Sequence, residues 1–309
     1  MNKKLLLLIL ALSSLPVANA LSDASGPDHF QIRAGHTAPV HETADLNAPL
    51  LFTLTEGRTG LKNRGCIGIT PFGEWSQMTD AEKEEAKTKI WCQIDYFGRS
   101  GWVQNIHLAE YGLPATPTYN CARAKGAVEN LICKDGELMS LDQTLTHTYQ
   151  GALARAKGLD AFPGKAVNTL RATQRGWIKG RNDCWKAGEN IKTCTRDQYL
   201  QRISSLEAEW ALQPSEAVTF YQCGQPANEI AVSLFNTTPW PAMALEQGDR
   251  RDILVRWISP STEQEQTDET AFDGPFTGPF GLSVTLNEEG LSLSRGNDGT
   301  DITCTPAAS

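Results

Sequence analysis

The spacing of apolar residues changes character along the chain and divides it into three parts. From about Phe30 to Glu110 the apolar runs are short, as in FQI, LLFTL and GWV, and Gly, Pro and Asn interrupt them, which predicts a small all-β unit. The one helix-like run here, DAEKEEAKTK from Asp80 to Lys89, is polar all round and reads as a solvated insertion. From Leu138 the period lengthens: Leu138, Leu141, Leu145, Tyr149 and Ala152 share one helical face that ends near Gly158. A second helix follows Pro163, with Val167, Leu170, Gln174, Trp177, Ile178 and Arg181 on one stripe, and a third carries Tyr199, Ile203, Leu206 and Trp210. Beyond Phe220 strand alternation returns at Ile230, Val232 and Leu234, in ILVRW, at Leu282, Val284 and Leu286, and at Leu291 and Leu293. The pattern therefore predicts a multidomain chain: a small all-β barrel, an α-helical bundle and a small antiparallel β-barrel.

The amino terminus adds a destination. MNKKLLLLILALSSLPVANA joins two lysines, an apolar run and an Ala18-Asn19-Ala20 end, the form of a cleaved secretory signal over residues 1–20. Its apolar run is too short to span a bilayer, and no later stretch approaches the roughly 18 apolar residues that a membrane helix needs. Leu21, rather than a cysteine, follows the predicted cut, so we expect no lipid or membrane anchor and a periplasmic location. Removing Lys3 and Lys4 leaves 26 basic against 36 acidic residues, a formal charge near −10. That balance argues against nucleic acid, whose binding rests on clustered Lys and Arg, and suits a basic protein partner.

All eight cysteines lie in the exported part, without CxxC pairs or zinc-site spacing, so disulfides are expected and no metal or cofactor is. They group as Cys66 and Cys92, then Cys121, Cys133, Cys184 and Cys194, then Cys223 and Cys304. Pairing within groups gives Cys66–Cys92 and Cys223–Cys304. In the middle group Cys133 precedes the first long helix and Cys184 ends the second, ends that an antiparallel hairpin brings together. The expected pairs there are Cys133–Cys184 and Cys121–Cys194, closing loops of about 50 and 70 residues and contributing on the order of 4 kcal/mol each.

The middle segment carries an ordered motif set. It runs from Cys121 through VENLIC with Glu129 and Cys133, Glu137, Leu138, Leu141 and Asp142, and Tyr149. TQRGWIKGRNDCW follows, with Gln174, Trp177, Arg181 and Cys184, then Cys194, Tyr199 and Arg202. This set closely resembles the LprI-type lysozyme-inhibitor domain, over residues 117–212. The resemblance implies a secreted helical domain and inhibition of lysozyme. Arg181, Glu129 and Asp142 read as helix-cap and interhelix pairs rather than direct contacts to a target. Residues 28–112 resemble a bacterial Src-homology-3-like domain through RAGHTAPVHETAD, LTEG and a closing Gly98, Gly101, Trp102, Val103 signature. Such domains often recognise cell-wall peptide; Trp102 is either that contact or a core residue.

Residues 218–306 open with FYQCGQ and close with DITC, a layout similar to the membrane-bound inhibitors of C-type lysozyme. In that family a Ser- and Gly-containing loop and a later Lys engage the two catalytic carboxylates of the enzyme. Here Ser259 and Ser261 stand as counterparts, but the Ser-Gly core is missing and no lysine follows Lys192. Arg256 or Arg295 could supply the cation. Glu263, Glu265, Asp268, Glu269 and Asp273 make the same loop acidic, which either simply solvates it or steers a basic lysozyme, an attraction that salt would weaken.

No G-x-S-x-G elbow, HExxH or phosphate-cradling glycine loop occurs, and His29, His36, His41, His107 and His147 are scattered. The sequence thus reads as a non-enzymatic, periplasmic inhibitor of a lysozyme-like muramidase that protects peptidoglycan. Two other readings are a non-inhibitory envelope module that holds peptidoglycan through Trp102, and immunity against a competitor's muramidase.

Overall fold

A computed structural model describes residues 26–114, 116–224, 228–258, 272–287, 289–296 and 301–307. Its first unit contains β1 (His29–Ile32), β2 (Thr37–His41), β3 (Leu50–Thr55), β4 (Leu61–Ile67), the short helix α1 (Phe72–Trp75), α2 (Asp80–Thr88), β5 (Trp91–Tyr96), β6 (Arg99–Gln104) and β7 (Leu108–Glu110). The strands form one antiparallel sheet in the order β3-β2-β6-β5-β4-β1-β7. The expected small barrel is thus a sheet with β3 and β7 at its edges. Its alternating inward residues, Phe30, Ile32, Val40, Phe52, Leu54, Leu61, Ile94 and Val103, make a core of their own. Asp80–Lys89 lies in the β4–β5 connection, mostly as α2. Thr79 and Glu82 close its first turn reciprocally, and only Ala86 is buried. Cys66 and Cys92 face each other across β4 and β5 and are joined.

The second unit is helical: α3 (Ala127–Ile132), α4 (Gly136–Lys157), α5 (Pro163–Asn182) and α6 (Ile191–Glu209). Asp135 caps α4 by accepting the Leu138 N–H at 3.1 Å, and Pro163 occupies the first turn of α5, where its missing N–H costs nothing. Val128, Ile132, Leu138, Leu141, Leu145, Leu170, Ile203 and Leu206 meet in the bundle core.

The pairing expected for the four middle cysteines is wrong. Cys121 bonds Cys133, and Cys184 bonds Cys194, at sequence separations of 12 and 10. The helix ends do approach as a hairpin requires, since Asn182 Nδ2 donates to Glu129 Oε1 at 3.4 Å. Each thiol nevertheless meets a nearer neighbour along the chain. Cys121 sits in a 3-10 turn just before α3, and Cys133 caps the end of α3. Cys184 lies in the 3-10 segment after α5, which Gly188 reverses with φ 59°, and so faces Cys194 in the first turn of α6. The staples therefore fix two local connections rather than the long hairpin, and loops this short contribute about 3 kcal/mol each in the chain-entropy account.

The third unit comprises β8 (Ala217–Cys223), β9 (Asn228–Phe235), β10 (Ala242–Gln247), β11 (Arg250–Arg256), β12 (Phe276–Thr277), β13 (Leu282–Asn287), β14 (Gly290–Arg295) and β15 (Ile302–Pro306). They close an eight-stranded antiparallel barrel around Met243, Leu245, Leu254, Phe276, Val284 and Leu293. Cys223 and Cys304 stand opposite each other on β8 and β15 and are bonded, which ties the two ends of the unit together. The run Ala242 to Leu245 is apolar on both faces for a structural reason. Met243 and Leu245 point into the barrel, while Ala242 and Ala244 join Phe235, Trp240 and Val255 in the core of the helical unit. The barrel wall and the bundle thus share one apolar interface.

Candidate functional site

The three units meet at a buried polar junction. The β3–β4 connection, Glu56 to Gly60, lies on α4. Gly57 has φ 81°, and a Cβ there would stand 2.4 Å from the His147 ring, so only glycine fits. Gly60, with φ 74°, approaches Ser140 in the same way. Between them Arg58 enters the protein, 2% exposed, and forms an ion pair with Glu207 of α6. Its remaining donors reach Thr148 Oγ1 of α4 at 3.1 Å and Thr238 Oγ1 of the barrel at 3.2 Å. Glu207 in turn accepts the Thr238 N–H at 3.1 Å. Burial pulls the Arg58 pKa down, and the carboxylate opposite it balances the buried charge. A second guanidinium, that of Arg99, donates to Thr237 O, Asn236 Oδ1 and Leu51 O at 3.2, 2.7 and 3.3 Å and lies over the Phe52 ring. Its pKa is lowered by burial to about 9, so it too stays charged at neutral pH.

Within the bundle the motif residues bond to one another. Arg181 Nη1 donates to the Tyr199 hydroxyl at 2.8 Å, and that hydroxyl donates to Asp142 Oδ1 at 2.8 Å. Asp142 Oδ2 accepts from Thr118 N and Thr118 Oγ1. Burial, then the neighbouring Asp142 carboxylate, pushes the Tyr199 pKa well up, so the hydroxyl keeps its proton as a donor. Arg181 also faces the Trp177 and Tyr199 rings. Glu129 accepts the Lys125 and Gly126 N–H groups and caps α3. Arg202 donates to Gln174 Oε1 at 3.0 Å. Arg181, Tyr199 and Asp142 are buried and engaged in the interior of the bundle.

A cleft of about 510 Å³ opens beside the junction, where all three units contribute walls. Lys62, Arg64 and Asp95 come from the first sheet, Glu137 and Arg196 from the helices, and Trp240 and Ile258 from the barrel. The β5–β6 turn projects toward it through Phe97, held at φ 54° ahead of Gly98, and Phe97 packs against both the first core and the bundle core. A second hollow of about 270 Å³ lies between α6 and the barrel, lined by Asp197, Gln201, Trp240 and Trp257. Trp257 is half exposed and meets Trp240 edge to face. Among the described residues no group of three His, Cys, Asp or Glu side chains is placed to hold a metal ion. No helix among them is long and apolar enough to cross a membrane.

Ser259, Ser261, Glu263, Glu265 and Asp268 lie outside the described residues, as does the segment 1–20. Arg256 ends β11, half-buried, with its N–H on Pro241 O and its guanidinium against Gly274. Arg295 ends β14 and donates to Gln247 Oε1 at 3.2 Å. Trp102 does not belong to the core. On β6 its neighbours Gly101 and Val103 point inward, so Trp102 is half-buried on the other face, opposite His41 and Gln93. The structure therefore does not gather Trp102 and the barrel arginines into one site. Nothing in the sequence singles out Arg58 or Arg99, because an isolated Arg in GRTG or FGRSG has no periodic context that marks it as buried.

The chain is 25% identical over 142 residues to proteins named Lipoprotein LprI from Mycobacterium tuberculosis and Mycobacterium bovis. That match spans 46% of this chain and 67% of the relatives. No solved structure matches. Residues 120–212, which hold α3 to α6, both local disulfides and the Arg181–Tyr199–Asp142 chain, match the family model described as Lysozyme inhibitor LprI.

Proposed function

We propose that the protein is a periplasmic inhibitor of lysozyme-type muramidases and protects peptidoglycan by binding the enzyme. The observation that supports this most is the match of residues 120–212 to the lysozyme-inhibitor family model. The packing agrees with such a role: a helical unit fixed against two β units by a buried ion pair and hydrogen bonds presents a preformed surface. A rigid inhibitor loses little conformational entropy on binding. The flanking units are read here as a Src-homology-3-like domain over residues 28–112 and a C-type-lysozyme-inhibitor-like barrel over 218–306.

The test is the purified full chain against several classes of lysozyme, with cell-wall turbidity for inhibition and calorimetry for affinity. We expect binding at micromolar concentration or tighter to at least one class, weakening as salt is raised. Absence of binding to every class would refute the reading. A role as a non-inhibitory peptidoglycan module is favoured by one feature, the partial exposure of Trp102. Pull-down with purified sacculi, with and without Trp102→Ala, separates the two readings.

A further inference from the structure

The formal charge of the chain, −8, is unevenly placed. Residues 155–182, which take in the last turn of α4, the connecting loop and all of α5, hold seven Lys and Arg against one acid, Asp160. Their net charge of +6 leaves −14 for the rest (−8 less +6). Arg181 points inward, but Arg155, Lys157, Lys165, Arg171, Arg175 and Lys179 are all exposed. Elsewhere surface cations sit beside acids, as in Lys87–Glu84, Lys89–Glu85, Lys186–Asp183 and Arg251–Glu246. Among the described residues the six form no such pair.

The fold makes little use of the outer face of α5. Of its twenty residues only Leu170 and Arg181 are buried. Arg171, Arg175 and Lys179 follow at steps of four, each turned about 40° from the last, and form a band roughly 12 Å long on the side away from the bundle. Gly164, Gly176 and Gly180 lie in the same helix, and a Cβ at any of them would meet nothing. Packing within the chain does not require these glycines, although each weakens a helix by up to about 1 kcal/mol relative to alanine. What they provide is a flat backbone that another surface can approach closely. At the head of the helix Phe162 is 80% exposed and held at φ 51°, a left-handed conformation that a non-glycine residue adopts only at a cost. Leu159, three residues earlier, is also exposed.

We infer that the α4–α5 tip and the outer face of α5 form the docking surface for the carboxylate-lined substrate cleft of the muramidase, with Phe162 entering the cleft and Arg171, Arg175 and Lys179 facing its acids. This rests on the inhibitor reading above. Glycosidases of the lysozyme type cut their substrate between two carboxyl side chains, so their clefts combine concavity with negative charge. A convex, cationic helix edge headed by an exposed aromatic complements both features. It also supplies lysine and arginine where the chain has no lysine after Lys192, while the remaining −14 favours encounter with an enzyme whose outer surface is basic.

The test measures inhibition constants of the full chain for a muramidase that the wild type inhibits. It compares Arg171→Glu/Arg175→Glu/Lys179→Glu, Phe162→Ala, and a control of equal charge on other exposed positions, Lys89→Glu/Arg123→Glu/Lys134→Glu. We expect the α5 triple variant to lose about a hundredfold and Phe162→Ala about tenfold, with the control triple within about threefold of wild type. Chitooligosaccharide should compete with the inhibitor, and a muramidase with both catalytic carboxylates changed to amides should bind it at least about tenfold more weakly. Equal losses in the two triple variants, or no competition by oligosaccharide, would overturn the docking surface and leave the inhibitor reading standing. A wild type that binds no muramidase would overturn both. Loss of binding to phosphatidylglycerol vesicles in the α5 triple variant, with muramidase inhibition unchanged, would assign the face to an anionic lipid surface instead.

Discussion

Arg58→Met tests whether the three units are held together by their buried polar junction. Methionine keeps much of the length of the arginine side chain and removes its charge and donors. Glu207, 3% exposed, would then keep only the Thr238 N–H at 3.1 Å and the Gln213 amide at 3.5 Å as its bonds. Breaking a buried pair from one side costs about 3–5 kcal/mol, because the remaining charge is neither solvated nor paired. The loss at Thr148 is small, since its hydroxyl still donates to Thr144 O. If the chain unfolds as one unit, about 2–4 °C per kcal/mol places the midpoint on the order of 10 °C lower. If the junction alone couples the units, scanning calorimetry should instead resolve separate transitions where the wild type shows one. Changing both partners, Arg58→Met with Glu207→Met, removes both charges and leaves mainly the Thr238 N–H without an acceptor, a cost of about 1–3 kcal/mol. The double variant should therefore be more stable than Arg58→Met alone. A midpoint within about 2 °C of wild type for the single variant, or simple additivity in the double, would refute the reasoning.

Tyr199→Phe deletes the hydroxyl that links Arg181 to Asp142 and leaves a buried donor and acceptor each short of a bond, so urea unfolding should show about 1–3 kcal/mol of destabilisation. A loss within experimental error would mean that the chain of bonds does not hold the bundle. Glu129→Gln probes the cap of α3. The Lys125 N–H above all, then the Gly126 N–H, the Asn182 amide and the Arg181 charge, hold the Glu129 carboxyl below its usual range. A depressed folded pKa means that the contribution is present above the unfolded value, about 4.3, and is lost as pH falls through the folded one. The stability gap between wild type and Glu129→Gln should therefore be open at pH 7 and close toward pH 3; a gap independent of pH would contradict this origin.

The sequence conveyed the helices well because their signals are local. Leu138, Leu141 and Leu145 repeat at helical spacing, Gly158 stops α4, and Pro163 starts α5. Disulfide pairing was less legible, since knowing which helix ends meet does not say where a Cβ points, and the turns before α3 and at Gly188 decide that. The outward placement of Trp102 shows a related limit: strand register has period two, and one residue of shift would exchange Trp102 with Val103. The junction left no local trace at all. Arg58 contacts Thr148 and Thr238 across 90 and 180 residues, and charged residues next to glycines usually lie on the surface. Of the proposed barrel contacts and the acidic loop, Arg256, Asp273 and Arg295 fall among the described residues.

The residues that carry the family resemblance are the ones the fold has already engaged. Glu129 caps α3, Asp142 and Tyr199 satisfy Arg181, and Arg202 holds Gln174. A carboxylate that already accepts from Thr118 and Tyr199 has little capacity left for a partner, and removing it from the interior would unpair the groups around it. A match to this segment therefore reports a packing scheme, and the choice of target has to lie on exposed residues that the scheme leaves free. On the helical unit the least engaged surface is the outer face of α5, which differs from the rest of the chain in charge, in its glycines and in the exposed Phe162 at its head. If that face docks a muramidase as proposed, the buried polar junction has a consequence for binding. By fixing α4 and α6 against both β units, it presents that face as a preformed surface whose geometry need not be ordered anew on binding.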